Sequence, residues 1–214
     1  TSEDGINWNP VNSTGGPNSF TQLVGSGTKH LLALSGASLV SSTDGGKPWT
    51  ADGLDSSAPL PLDENAGIVF ASTVSKNYEK AVVLGLRGNE PVLWQRDLDL
   101  SGTDTFGWVN FPLDAHRRGH LPTFQNYTLA RYDDALLLTG EKNDGSFGGL
   151  YLSRDNGYTW LQKELKVPAI SGATSATVTV DAQNYIYIIC AGSGEVWRGR
   201  INRLGWKNED TLFK

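Results

Sequence analysis

Four short apolar runs recur along the chain at a spacing of about fifty residues, and this period limits the possible folds more than any other feature. They are HLLALSG at 30–36, KAVVLGL at 80–86, ALLLTGE at 135–141 and YIYIICAG at 185–192. Continuous apolar runs this short, closed by turn residues, read as strands buried on both faces. A second strand-like segment follows each one: SLVSS (38–42), PVLWQR (91–96), GLYLS (149–153) and GEVWRGR (194–200). A short polar loop joins the two, so each pair is a hairpin. Ahead of three runs lie GIVFAST (67–73), TFQNYTLARY (123–132) and SATVTVD (175–181), also strand-like. Each repeat then closes on a turn and a tryptophan: Trp49, Trp108, Trp160 and Trp206, with Trp8 ending an incomplete first copy.

Four strands per repeat in up-and-down order cannot bury both faces alone, so the units must stack around an axis. The expected fold class is all-β, a β-propeller of four-stranded up-and-down blades, about four full blades plus a partial one. A single domain over 1–214 is expected, with repeats at approximately 1–12 (partial), 20–54, 67–112, 121–166 and 174–210. A helical solenoid of similar period is excluded. No long stretch places apolar residues at i, i+3, i+4 and i+7, and the 25 glycines interrupt every window of helix length. The chain contains no Met, which suggests a processed or trimmed piece of a longer protein. Its ring is then expected to be small and irregular, or open on one side.

The closing turns share a pattern. Ser42-Thr-Asp44-Gly-Gly46-Lys-Pro-Trp49 and Ser153-Arg-Asp155-Asn-Gly157-Tyr-Thr-Trp160 both read S-x-D-x-G-x-x-W, and Ser2-Glu-Asp4-Gly-Ile-Asn-Trp8 is one residue shorter. The residue types suit a tight hairpin. The Asp carboxylate is expected to accept backbone N–H bonds, the Ser hydroxyl to add a weaker one, and Gly to take the left-handed conformation. The Trp packs back between sheets. This pattern resembles the Asp-box of the BNR-repeat, sialidase-like propellers, which implies a structural turn on the rim away from any ligand. The repeats ending at Trp108 and Trp206 depart from it. The closing VWRGRINRLGW is similar to the end of a family of secreted Bacteroidetes proteins with a C-terminal propeller. That likeness implies a secreted, periplasmic or cell-surface bacterial setting and no particular activity.

Charge and composition narrow the partners. The net charge is −5 and no Lys/Arg block exceeds two residues, which argues against nucleic acid. No apolar run approaches the roughly 18 residues of a membrane helix. The single Cys190 lies inside an apolar run and reads as a buried, inert thiol.

A sialidase-like enzyme needs three converging arginines, a Tyr–Glu pair and an acid Asp. Arg154 belongs to a turn, Arg96 and Arg200 are expected to face solvent, and the set is not present, so no catalysis is expected. Asp133, Asp134, Glu141, Asp181 and Glu195 could still supply a generic carboxylate pair. His116 and His120 are four apart, but Gly119 and Pro122 oppose the helix that would make them a metal pair, so neither metal nor cofactor is expected. Instead His116, Arg117, Arg118 and His120, with Arg87 and Glu141 on hairpin ends, are expected to share the polar face opposite the Asp-box turns. The function expected is a secreted, non-catalytic binding or scaffolding propeller for an unknown glycan or protein. The alternative is a carbohydrate-active enzyme, a glycosidase or lyase, on the same fold.

Overall fold

Each long apolar run forms the second strand of an antiparallel sheet, and its continuous hydrophobicity follows from its place between two neighbours. In a computed structural model, residues 19–26, 30–54, 60–63, 66–75, 78–99, 107–112, 121–163, 175–191 and 194–200 are described. The first sheet contains β1 (Gln22–Ser26), β2 (His30–Ser35), β3 (Ser38–Ser42) and β4 (Thr50–Ala51). The second contains β5 (Gly67–Ser75), β6 (Tyr78–Arg87), β7 (Glu90–Asp99) and β8 (Val109–Pro112). The third contains β9 (Asn126–Tyr132), β10 (Ala135–Glu141), β11 (Phe147–Ser153) and β12 (Leu161–Lys163). The fourth contains β13 (Ser175–Val180), β14 (Ile186–Ala191) and β15 (Val196–Gly199). Within every sheet the strands pair in sequence order. These are the blades of an all-β, four-bladed propeller. The copy ending at Trp8, with Ser2 and Asp4, and the turn at Trp206 lie outside the described residues.

Strand periodicity assigns successive residues of each run to opposite seams. In β6, Ala81 and Val83 join a buried cluster with Leu32, Leu34 and Leu39 of the first blade. Their neighbours Val82 and Leu84 join Leu129, Leu136 and Leu138 of the third. In β10 the pattern repeats, with Leu137 packing among Val178, Ile186 and Ile188 of the fourth blade. Three seams are therefore continuous apolar layers. Among the described residues no buried cluster joins the fourth blade to the first. There Trp49 packs on Ala33 and Val40 of its own sheet and meets Phe20 at a ring separation of 5.0 Å. Ile189 and Val196, on the far face of the fourth blade, remain 44% and 61% exposed.

The tryptophans staple each blade to the one before it. Trp160 is fully buried among second-blade side chains, and Trp108 is buried among those of the first. Removing such a ring typically costs about 3–5 kcal/mol.

The turn before Trp160 shows how its polar run is used. Ser153 Oγ accepts the N–H of Gly157 at 2.8 Å and donates to Asp155 Oδ1 at 2.8 Å. Asp155 in turn accepts the Thr159 N–H at 2.9 Å and the Thr159 hydroxyl at 2.6 Å. Gly157 takes φ 96°, and its carbonyl accepts the Trp160 indole N–H at 2.8 Å. Buried Gln95 of the second blade then donates to the Asn156 carbonyl at 2.8 Å, so the turn also ties two blades together.

The first-blade turn keeps the serine contact, with Ser42 Oγ accepting the Gly46 N–H at 2.9 Å. Its Asp44 differs, because Pro48 stands where Thr159 stands and offers neither N–H nor hydroxyl. The serine therefore carries the constant part of the motif, contrary to the expectation that the aspartate would dominate. Asp155→Ala should lower stability by about 1–3 kcal/mol, whereas Asp44→Ala should stay within about 0.5 kcal/mol. Thermal melts of the two variants check this, and equal losses would show that Asp155's bonds to Thr159 are immaterial.

Candidate functional site

The first strand of each blade is an edge strand, and all four edges turn toward one axis. Edge strands present backbone N–H and C=O groups that no sheet partner satisfies. Here they line an axial cavity of about 400 Å³, walled by parts of β1, β5, β9 and β13. Gln22 spans it near one end. Its side-chain oxygen accepts the Ile68 N–H of the second blade at 2.8 Å, and its amide lies 3.4 Å from the Tyr127 carbonyl of the third. One amide thus satisfies edge groups of two other blades. Thr128, Thr177 and Thr179 add hydroxyls to the wall.

Arg131 brings positive charge to the other end of this cavity. Its Nε donates to the Asp133 carbonyl at 3.1 Å, and its Nη1 lies 3.7 Å from Glu79 Oε1. Arg131 is 39% exposed at the side chain, while Glu79 is only 12% exposed and its Oε2 is buried without a partner. Burial pushes the Glu79 carboxyl above its usual value of 4.5, against the opposing pull of Arg131 and, more weakly, of His30.

The sequence-predicted site residues divide. Arg87 is exposed at the β6–β7 hairpin, and Glu141 ends β10 at the β10–β11 hairpin. Antiparallel order puts both at the end of the ring opposite the S-x-D-x-G-x-x-W turns. Glu141 accepts a bond from Asn126 Nδ2 at 2.8 Å. His116, Arg117, Arg118 and His120 lie outside the described residues.

Arg96 does not face solvent as expected. Its side chain is 18% exposed and its Nη1 bonds Asp52 Oδ1 at 2.5 Å. The reason is that β7 is covered on both faces, and Arg96 shares the parity of Trp94 and Leu98, which point into the first seam. Arg200 is exposed, as expected, and its guanidinium lies 3.9 Å from the Tyr185 ring centre.

Cys190 is buried in the third seam, where burial and then Glu195 raise its thiol above the ordinary value. Among the described residues no group of three His, Cys, Asp or Glu is arranged to hold a metal ion. No helix among them is long and apolar enough to cross a membrane.

Sequence reasoning missed Gln22, Gln95 and the Asp52–Arg96 pair. The available signal for two of them was Gln95-Arg96 inside the apolar strand VLWQR, where polar residues need buried partners. Gln22 stands out by no pattern.

Sheet order, seam packing and a shared polar axis define a four-bladed β-propeller domain. The chain matches the DUF6242 beta propeller domain over residues 1–209 and belongs to that family. A search of curated proteins finds no match to it.

The Glu79 environment sets a pH dependence. A carboxyl raised by folding is held more tightly as the acid in the folded state, so its contribution falls as pH rises from about 4.5 through the folded value. Glu79→Gln should match the parent's melting temperature below that window and exceed it at neutral pH. Melts across pH 3 to 8 check this, and a parent that gains on the variant with rising pH would contradict it.

Proposed function

We propose that this propeller is an exported, non-catalytic binding module of the bacterial envelope, with its turns acting as Asp-boxes and its ligand entering the axial cavity. The observation that carries the reading is the cavity wall itself. Strand edges, three threonine hydroxyls, the Gln22 amide and the Arg131 guanidinium converge on one concave space. Hydroxyls, backbone edges and a guanidinium together suit a hydroxyl-rich or acidic ligand, such as a glycan segment.

Binding is favoured over cleavage by what surrounds the carboxylates. Glycoside cleavage needs two carboxyl groups flanking one bond. Asp181 is tied to its own turn, accepting the Tyr185 and Gln183 N–H groups at 2.8 and 2.9 Å and the Tyr187 hydroxyl at 3.0 Å. Glu141 is tied to Asn126, and it sits at the opposite end of the ring from Asp181. Glu195 lies 3.3 Å from the Trp197 indole nitrogen. These groups are distributed among local structural tasks.

A glycan array probed with the parent domain and with Thr177→Trp tests the proposal. Thr177 is an exposed wall residue, so the larger ring should fill the cavity without disturbing a seam. Capture of a glycan by the parent, lost in Thr177→Trp at an unchanged melting temperature, is the expected result. Equal capture by both proteins would move the site elsewhere, and turnover of a captured glycan would show an enzyme.

A further inference from the structure

The seam between the first and second blades holds a second cavity, of about 260 Å³, at the outer end of the Asp52–Arg96 pair. We infer that it is a separate site for one uncharged, hydroxyl-bearing ring, a neutral monosaccharide unit. This goes beyond the axial reading and does not depend on it.

The argument begins with Asp52, whose side chain is only 4% exposed. Its Oδ1 accepts two bonds, from Arg96 Nη1 at 2.5 Å and from the Trp108 indole N–H at 2.8 Å. Its Oδ2 is buried and has no partner. A buried carboxylate oxygen without a donor is rare in a folded protein and calls for an explanation. Asp52 belongs to the cavity wall together with His30, Ser41, Thr43, Thr50 and Arg96. Leucines 31, 32 and 98 supply apolar surface in the same wall.

Charge selects the ligand. Asp52 and Arg96 already neutralise each other, so an incoming ammonium would meet the guanidinium and an incoming anion would meet the carboxylate. An uncharged O–H donor satisfies Oδ2 without either conflict. The other wall groups are hydroxyls and an imidazole, which can pair with further hydroxyls, while the leucines accept the C–H face of a ring. The volume equals the liquid share of roughly nine waters at about 30 Å³ each, which is room for one sugar ring but not for a folded peptide.

Trp108 provides the reporter, because its indole N–H bonds the carboxylate at issue. The domain, labelled with nitrogen-15 at its seven tryptophans, would be titrated with methyl α-glucoside, methyl α-galactoside and methyl α-mannoside. At least one should move the assigned Trp108 indole signal along a saturable curve. Ser41→Leu should abolish that shift, and Asp52→Asn should weaken binding about tenfold.

Should Ser41→Leu lower the melting temperature, Thr50→Leu, at an exposed position, blocks the same wall. Thr177→Trp, which fills the axial cavity, should leave the shift intact, so the two sites fail or stand separately. No saturable shift with any of the sugars at tens of millimolar would overturn the inference. So would a shift that survives the blocking variant, or one produced equally by methylammonium chloride.

Discussion

A blade must cover two apolar faces, and this requirement governs everything else in the molecule. In β6 and β10 each residue of the central run faces one neighbour or the other, so neither strand could tolerate a single exposed side. Stacking around an axis meets that need with short connections. The tryptophans that follow β3, β7 and β11 extend the same layers outward, each toward the preceding blade position. Trp49 has no described partner blade on its side and covers its own sheet instead, with Phe20 against it.

Apolar layers alone do not fix how one blade sits against the next. Directional bonds at the seams do that. Gln95 reaches the turn at Asn156, Thr139 donates to the Ala176 carbonyl at 2.9 Å, and Asp52 takes both Arg96 and Trp108. All of these polar groups are largely buried, where an unpaired donor or acceptor is costly, so a slipped seam would be penalised at each one. Gln22 performs the same task at the axis, where the strand edges have no sheet partner. The two cavities lie beside these bonds, one within the ring of edges and one along a seam. Both are places where backbone or carboxylate groups come together that the fold itself does not fully satisfy.

The fold was legible in the sequence because burial on both faces leaves a mark that needs no partner to be seen. Runs such as AVVL and ALLL, each followed by a hairpin and a tryptophan, identify the blades one by one. The two S-x-D-x-G-x-x-W turns were legible for a similar reason, since their bonds close within eight residues. Even there the sequence misjudged which side chain mattered more. The exchange of Thr159 for Pro48 removes both donors to the aspartate while leaving the serine contact alone.

What could not be read were contacts between distant residues. Arg96 looked like a solvent-facing end to a strand, and only the packed seam shows that it meets a carboxylate 44 residues away. Gln22 is 46 residues from Ile68 and 105 from Tyr127, and no local pattern links them. The sequence by itself determined the strands, their hairpins and the repeat, because hydrophobic periodicity and turn chemistry act over a few residues. The tertiary structure decided which polar groups meet across the seams, where the axial cavity lies and which carboxylate oxygen is left unpaired. Those outcomes depend on how the blades are set against one another, which only the closed packing of whole sheets can fix.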